Sequence, residues 1–251
     1  MLAGWLAGGI VPARFTVVDP VLAGVPAGVT LRRDLSEADG SFDAILLSVK
    51  PQMLDDVAPR LRALAGPSAT VLSLLAGVEL GSLTARFPDA SGVVRVMPNL
   101  AAAIGKSPLA LAGRGLDDTR RQAITALLEP LGTPEWLADE ALFDCVTALA
   151  GSGPAFVYRF VDALASGASA LGLPTDQAQR LAIATVEGAA LLVAASPHSP
   201  GELARRVASP GGTTQAGLDV LDREDALQRL VTATLKAALD RSAEMAREAR
   251  R

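Results

Sequence analysis

Histidine and cysteine are almost absent from this 251-residue chain, which holds one of each, His198 and Cys145. A single cysteine excludes an internal disulfide, and a single histidine excludes a His-rich metal site, so no metal is expected. Aromatic residues are scarce as well, at 4%, although half of all residues are hydrophobic; alanine, leucine and valine must therefore carry the core. No basic block occurs beyond a short arginine-containing tail, and the formal charge is −4. That balance argues against a nucleic-acid partner. Long apolar runs are missing too. The longest, Leu181 to Ala195, contains Glu187 and is too short to cross a bilayer, so no membrane partner is expected. Met1 to Val11 is apolar, but it lacks a basic n-region and leads directly into a strand-like run, unlike a signal peptide. What remains is metal-free chemistry in the cytoplasm on a small-molecule substrate.

The chain is long enough for a large core in one long or two medium domains. Its first half alternates strand-like and helix-like stretches. Phe15 to Asp19 is a short β-branched run ending in an acid, with Pro20 as a stop. Asp43 to Val49 is a nearly continuous apolar run, as in a strand covered on both faces. Lys50-Pro51 breaks it, and Gln52 to Leu64 reads as a helix. Ala69 to Leu75, closed by Ala76-Gly77, is a third strand; a helix from about Glu79 to Arg86 follows, and Val93 to Met97 is a fourth strand ending at Pro98-Asn99. This alternation predicts βαβ units and a doubly wound α/β sheet of Rossmann type over residues 1–138. From 139 to 251 every segment reads as helix: Ala141 to Ala150, Pro154 to Leu171, Thr175 to Ala195, Gly201 to Ala208, Thr213 to Leu221 and Ala226 to Ala249. Gly151-Ser152-Gly153-Pro154 is expected to separate the first two. Small residues crowd these helices, which fits either close packing between subunits or an intramolecular core.

Ligands of doubly wound sheets bind outside the carboxyl ends of the strands. Asp19, Ser48 to Pro51, Leu75 to Gly77 and Pro98-Asn99 stand at such ends. An acid at position 19 suits the ribose hydroxyls of a dinucleotide and would repel a 2′-phosphate, which favours NADH. A second candidate is Ser209-Pro210-Gly211-Gly212-Thr213-Thr214. The residue before proline leaves the helical region, and two glycines permit turns closed to other residues. Feeding a helix N-terminus, such a turn directs several N–H groups at an anion. No lysine follows the glycines, so the P-loop spacing is absent and a small carboxylate suits it better. The same spacing also fits an ordinary helix–helix turn with a threonine N-cap.

Taken together, Val49-Lys50-Pro51-Gln52, Val94 to Asn99, Asp144 to Ala155 and Ser209 to Thr214 with Ala216-Gly217-Leu218 resemble the pyrroline-5-carboxylate reductase family over essentially the whole chain. The resemblance implies a Rossmann domain followed by a helical domain that dimerises, often building a decamer. It implies hydride transfer from NADPH or NADH to 1-pyrroline-5-carboxylate, giving L-proline, the last step of proline synthesis. Carried over by position, Ser48, Val49, Lys50, Pro51, Leu74, Leu75 and Ala76 line the cofactor. Glu140, Gly211, Gly212, Thr213 and Thr214 line the substrate pocket, with the Thr214 hydroxyl reaching the ring nitrogen. Glu140 also fits the plainer role of an acid at a helix N-terminus.

Three departures stand out. Leu100-Ala101-Ala102 replaces the family's Thr-Pro-Ala, and Arg206 stands where relatives often carry an amide. The family's opening strand and glycine-rich loop have no counterpart before Met1-Leu-Ala-Gly-Trp-Leu-Ala-Gly-Gly9, so the sequence is expected to be incomplete at its N-terminus. Such a gap leaves two facing strand edges unpaired at the centre of the sheet. A truncated non-catalytic paralogue keeping only the helical assembly domain is one alternative. A β-hydroxyacid-type dehydrogenase is another, although its usual catalytic lysine is lacking: after Lys106 only Lys236 remains.

Overall fold

The structure, a computed structural model, describes residues Met1–Glu248; the expected helix end at Ala249 and the terminal arginines lie outside them. Two compact units emerge. One comprises Met1–Ser152 with the segment from Ala238 onward, and the other is Gly153–Ala237. The secondary structure turns all-helical earlier than this division, from Glu140 on.

In the first unit, helix α1 (Leu2–Ala7) precedes strands β1 (Thr16–Val18), β2 (Thr30–Arg32) and β3 (Ala44–Leu47). Helix α2 (Leu54–Leu61), strand β4 (Thr70–Ser73), helix α3 (Leu80–Arg86) and strand β5 (Gly92–Met97) follow, then β6 (Ser107–Arg114), helix α4 (Asp118–Leu128) and β7 (Gly132–Trp136). All four strands read from the apolar runs are present. β2, β6, α4 and β7 have no comparable periodicity in the sequence.

The strands form two sheets. β1 and β2 pair in parallel as a two-stranded sheet, while the other has the order β3-β4-β5-β6-β7. β3, β4 and β5 run parallel, β5 and β6 antiparallel, and β6 and β7 parallel, so the larger sheet is mixed rather than wholly parallel. Among the described residues β1 and β3 each pair on one edge only. The effect shows in burial: Ala44, Ile45 and Leu46 of β3 are half-buried, whereas every residue of β4 is buried.

Alternation along the central strands builds a core on each face, because successive side chains of a strand point to opposite sides. Val71 and Val93 pack with Leu54, Ala58 and Leu61 of α2 and Leu83 of α3. The intervening Leu72, Val94 and Val96 pack with Trp5 of α1 and Ile124 and Leu128 of α4. The result is a three-layer α/β/α arrangement, with each fully buried Leu or Val side chain contributing about 1.5–3 kcal/mol. Trp5 stacks on Phe15 at 5.6 Å, and its Nε1 donates to the Leu127 carbonyl at 2.6 Å. Helix α4 starts where it does because the Asp117 side chain accepts from the Arg120 N–H at 2.8 Å.

Glu140–Leu142 is a short 3₁₀ turn that runs into helix α5 (Phe143–Val146) and then a π-helical segment, Thr147–Gly151. Gly151-Ser152-Gly153-Pro154 therefore does not separate two helices, contrary to expectation. Ser152 keeps helical angles (φ −86°, ψ −23°), and helix α6 (Gly153–Ala170) begins at the next residue. Pro154 falls at the second position of α6, where a missing N–H costs little.

In the second unit α6 is followed by α7 (Thr175–Ala195), α8 (Pro200–Val207), α9 (Thr213–Asp222) and α10 (Ala226–Glu248), whose last part belongs to the first unit. Ala165, Ala178 and Ala182 are buried where α6 meets α7. Most of the large apolar side chains here are exposed, among them Tyr158 at 63%, Leu171 at 92%, Leu192 at 62% and Leu230 at 66%. By length and composition alone, the helical runs Glu140–Ala170 and Thr175–Ala195 are long and apolar enough to cross a membrane. The sequence argued otherwise because its longest apolar run, Leu181 to Ala195, is short and contains Glu187.

Candidate active site

The carboxyl ends of the parallel strands gather the expected cofactor residues of the first unit. Asp19 follows β1, and its Oδ1 accepts the N–H groups of Val21 and Leu22, each at 2.8 Å. Those two donors, with Arg33 nearby, hold the carboxyl below its usual range. Ser48, Val49 and Lys50 follow β3; Ser48 and Lys50 are exposed, and Pro51 opens a 3₁₀ turn. After β4, Leu74 is half-buried and Ala76 exposed, whereas Leu75 is 4% exposed and packs into the core. Gly77 then takes φ +74°, a conformation that favours glycine, and closes the turn before α3.

Beside that turn lies a cavity of about 280 Å³ lined by Gly77, Arg95, Glu140 and Phe143, among others. Arg95 points from β5 to the same face as Val93 and is 5% exposed. Its Nη1 donates to Glu140 Oε1 at 2.9 Å, and its guanidinium carbon lies 3.8 Å from the centre of the Phe143 ring. Glu140 Oε1 also accepts the Leu80 N–H at 2.8 Å. Helix α3 has no cap from its own N-terminal residue, so Glu140 supplies one from a distant part of the chain. Glu140 thus stands in the first turn of its own helical run, as the helix-terminus reading expects, and also caps α3. Arg95 Nε is buried without a hydrogen-bond partner among the described residues.

Two of the recognised motifs meet at the end of β5. Asn99 donates from Nδ2 to the Ala150 carbonyl at 2.9 Å, accepts from the Ala101 N–H at Oδ1, and donates its own backbone N–H to Ser107 Oγ. Ala150 lies within the π-helical segment, and such segments concentrate at functional sites. Arg95 and Asn99 stood within a recognised motif, yet their partners lie 45 and 51 residues away, so no local signal announced the contacts.

The second unit holds the other candidate. Ser209-Pro210-Gly211-Gly212 is a tight turn in which the Gly212 N–H donates to the Ser209 carbonyl at 2.9 Å. Proline second and Gly211 third, with φ +72°, match a type II turn. Gly212 is the N-cap of α9 and a Cβ there would lie 2.4 Å from Ser209 Oγ, so the turn is packed too tightly for a side chain. Thr213 and Thr214 are the first two residues of α9, and both are exposed. No threonine caps this helix, and the Thr214 hydroxyl makes no hydrogen bond to the described residues. The N-cap alternative therefore fails; what the turn presents is a glycine-capped helix start with two accessible hydroxyls. On α8, Arg206 pairs with Glu202 at 3.2 Å, and Glu202 also meets His198 Nδ1 at 3.2 Å.

A family model described as pyrroline-5-carboxylate reductase dimerisation matches residues 140–245. The pyrroline-5-carboxylate reductase of Pseudomonas aeruginosa is 34% identical over 255 residues, covering 99% of this chain and 93% of that one. The Pisum sativum enzyme is 37% identical over 213 residues, covering 84% and 77%. Among solved structures, a pyrroline-5-carboxylate reductase from Coxiella burnetii superposes with a TM-score of 0.90 at 29% identity, covering 97% of this chain and 92% of that one. The Plasmodium falciparum enzyme, solved with NADP bound, shares the fold with a TM-score of 0.81 at 23% identity.

Proposed function

The chain belongs to the pyrroline-5-carboxylate reductase family, and from that premise we propose that the Ser209–Thr214 turn holds the substrate carboxylate and the ring nitrogen. The reaction is reduction of 1-pyrroline-5-carboxylate to L-proline with NAD(P)H, the final step of proline biosynthesis. The observation that carries the substrate assignment is the α9 N-terminus: its first N–H groups suit an anion, and the Thr214 hydroxyl is exposed and has no partner among the described residues.

NAD(P)H, when bound, supplies the hydride that adds to C5 of the imine. The protein's part is position and electrostatics. Backbone N–H groups in the first turn of α9, from Thr213 on, hold the carboxylate, and the Thr214 hydroxyl orients the ring nitrogen as it gains its proton. Ser48, Val49, Lys50, Pro51, Leu74 and Ala76 suit the cofactor, since they border strand ends at which ligands of such sheets bind. Leu75 supports them from the core, and Asp19 faces the adenosine end. Glu140, linked to Arg95 and the start of α3, shapes its cavity. The test is direct. Purified protein given NADPH or NADH and 1-pyrroline-5-carboxylate should oxidise the cofactor and form L-proline; no proline with either cofactor would overturn the reading.

The chain forms a homo-oligomer through its helical region. A dimer, and five such dimers in a decamer, would cover the exposed apolar residues of α6, α7 and α10. Sedimentation at micromolar concentration is expected to show a dimer or larger species, and a stable folded monomer would contradict it. A cytoplasmic location accords with the soluble substrate.

A further inference from the structure

We propose that Arg33 recognises the 2′-phosphate of NADPH, so that this chain selects NADPH over NADH. The inference rests on the reductase reading above. β1 and β2 run parallel with Val18 opposite Arg32, and the Asp19 N–H donates to the Arg32 carbonyl at 3.0 Å. Asp19 and Arg33 therefore leave the carboxyl edge of this sheet side by side. In doubly wound folds an acid here accepts the ribose 2′-hydroxyl, whereas a nearby arginine accommodates a 2′-phosphate.

The geometry favours the arginine. Asp19 spends Oδ1 on the N–H groups of its own loop, which turns the carboxylate toward Val21 and Leu22. Arg33 Nη1 donates to the carbonyls of Asp19, at 3.2 Å, and Leu22, at 2.5 Å. Those bonds fix the guanidinium at the end of the strand, while Nε and Nη2 have no protein partner among the described residues. The neighbouring acids each commit an oxygen as well: Asp34 to Ser36 and Arg60, and Glu37 to the Arg33 N–H. Arg32 donates from Nε to the Glu37 carbonyl, which leaves its outer nitrogens to reinforce the positive edge. A planar fork with two free donors, already held in place, matches phosphate oxygens.

Calorimetric titration of the wild-type protein with NADPH, NADH, 2′,5′-ADP and 5′-AMP tests this without turnover. NADPH and 2′,5′-ADP are expected to bind about tenfold more tightly than their unphosphorylated counterparts, equal to about 1.4 kcal/mol. In Arg33→Gln that ratio should fall close to one, Arg33→Lys should keep part of it, and added salt should reduce it. Equal wild-type affinities, or a ratio that survives Arg33→Gln, would overturn the proposal and leave the reductase reading standing. So would a parallel loss of all four ligands in Arg33→Gln, which would mean that Arg33 only braces the loop. Failure of the wild-type protein to bind either dinucleotide would sink the reductase reading itself, and this inference with it.

Discussion

Arg95→Ala is expected to lower stability by about 3 kcal/mol, because it strands one member of an ion pair in the protein interior. Arg95 is 5% exposed and the Glu140 side chain 24%, so the pair is shielded on one side and partly open on the other. That opening places the cost at the low end of what broken buried pairs show. The loss also removes the guanidinium from the Phe143 ring, leaving space in the core on the α3 side of the sheet. Glu140→Gln should cost a comparable amount for the converse reason: the amide still accepts the Leu80 N–H, but the Arg95 charge is left uncompensated. Replacing both partners, as Arg95→Met with Glu140→Gln, should be much milder than the sum of the single changes, since no buried charge is left over and the unpaired Arg95 Nε disappears too. Urea unfolding of the four proteins completes the cycle. Single variants within about 0.5 kcal/mol of wild type, the range of an ordinary surface change, would show that the pair is no clamp.

Thr214→Ala should lower kcat/KM about 10- to 100-fold, equal to about 1.4–2.7 kcal/mol of transition-state stabilisation. The melting temperature should stay near that of wild type. This separation follows from the geometry of the α9 start. A threonine that capped the helix would contribute about 1 kcal/mol of stability, but the N-cap is Gly212 and makes no side-chain bond. The Thr214 hydroxyl is exposed and has no partner among the described residues, so its removal touches little except a bound ligand. Thr214→Ser keeps the hydroxyl and should restore most of the rate. Steady-state kinetics beside thermal melts decide the matter: a lowered melting point with wild-type kcat/KM in Thr214→Ala would place the residue in the fold and outside the chemistry.

The sequence alone determined the features whose cause is local. β3, β4 and β5 are apolar runs bounded by Gly, Pro or charged residues, and α7 spans Thr175–Ala195 just as its pattern reads. Pro210 and Gly211 carry their own turn in their backbone preferences, so the anion-facing start of α9 is also written locally. Other elements depend on neighbours. β6 reads Ser-Pro-Leu-Ala-Leu-Ala-Gly-Arg, a composition weak in β-branched residues, and becomes a strand because β5 and β7 flank it. Gly151-Ser152-Gly153-Pro154 looks like a break, yet the chain stays helical there through a π-turn whose Ala150 carbonyl meets Asn99.

The electrostatics followed the same division. An acid at the end of β1 is visible in the sequence, but only the folded loop shows that Val21 and Leu22 occupy it and that Arg33 stands alongside. Glu140 could be marked as a site residue by family position; its attachment to Arg95 and Leu80 required contacts across 45 and 60 residues. Backbone propensity acts over a few residues and survives in the sequence. Burial, charge pairing and sheet register are set by residues far apart in the chain, and exist only once the layers have packed.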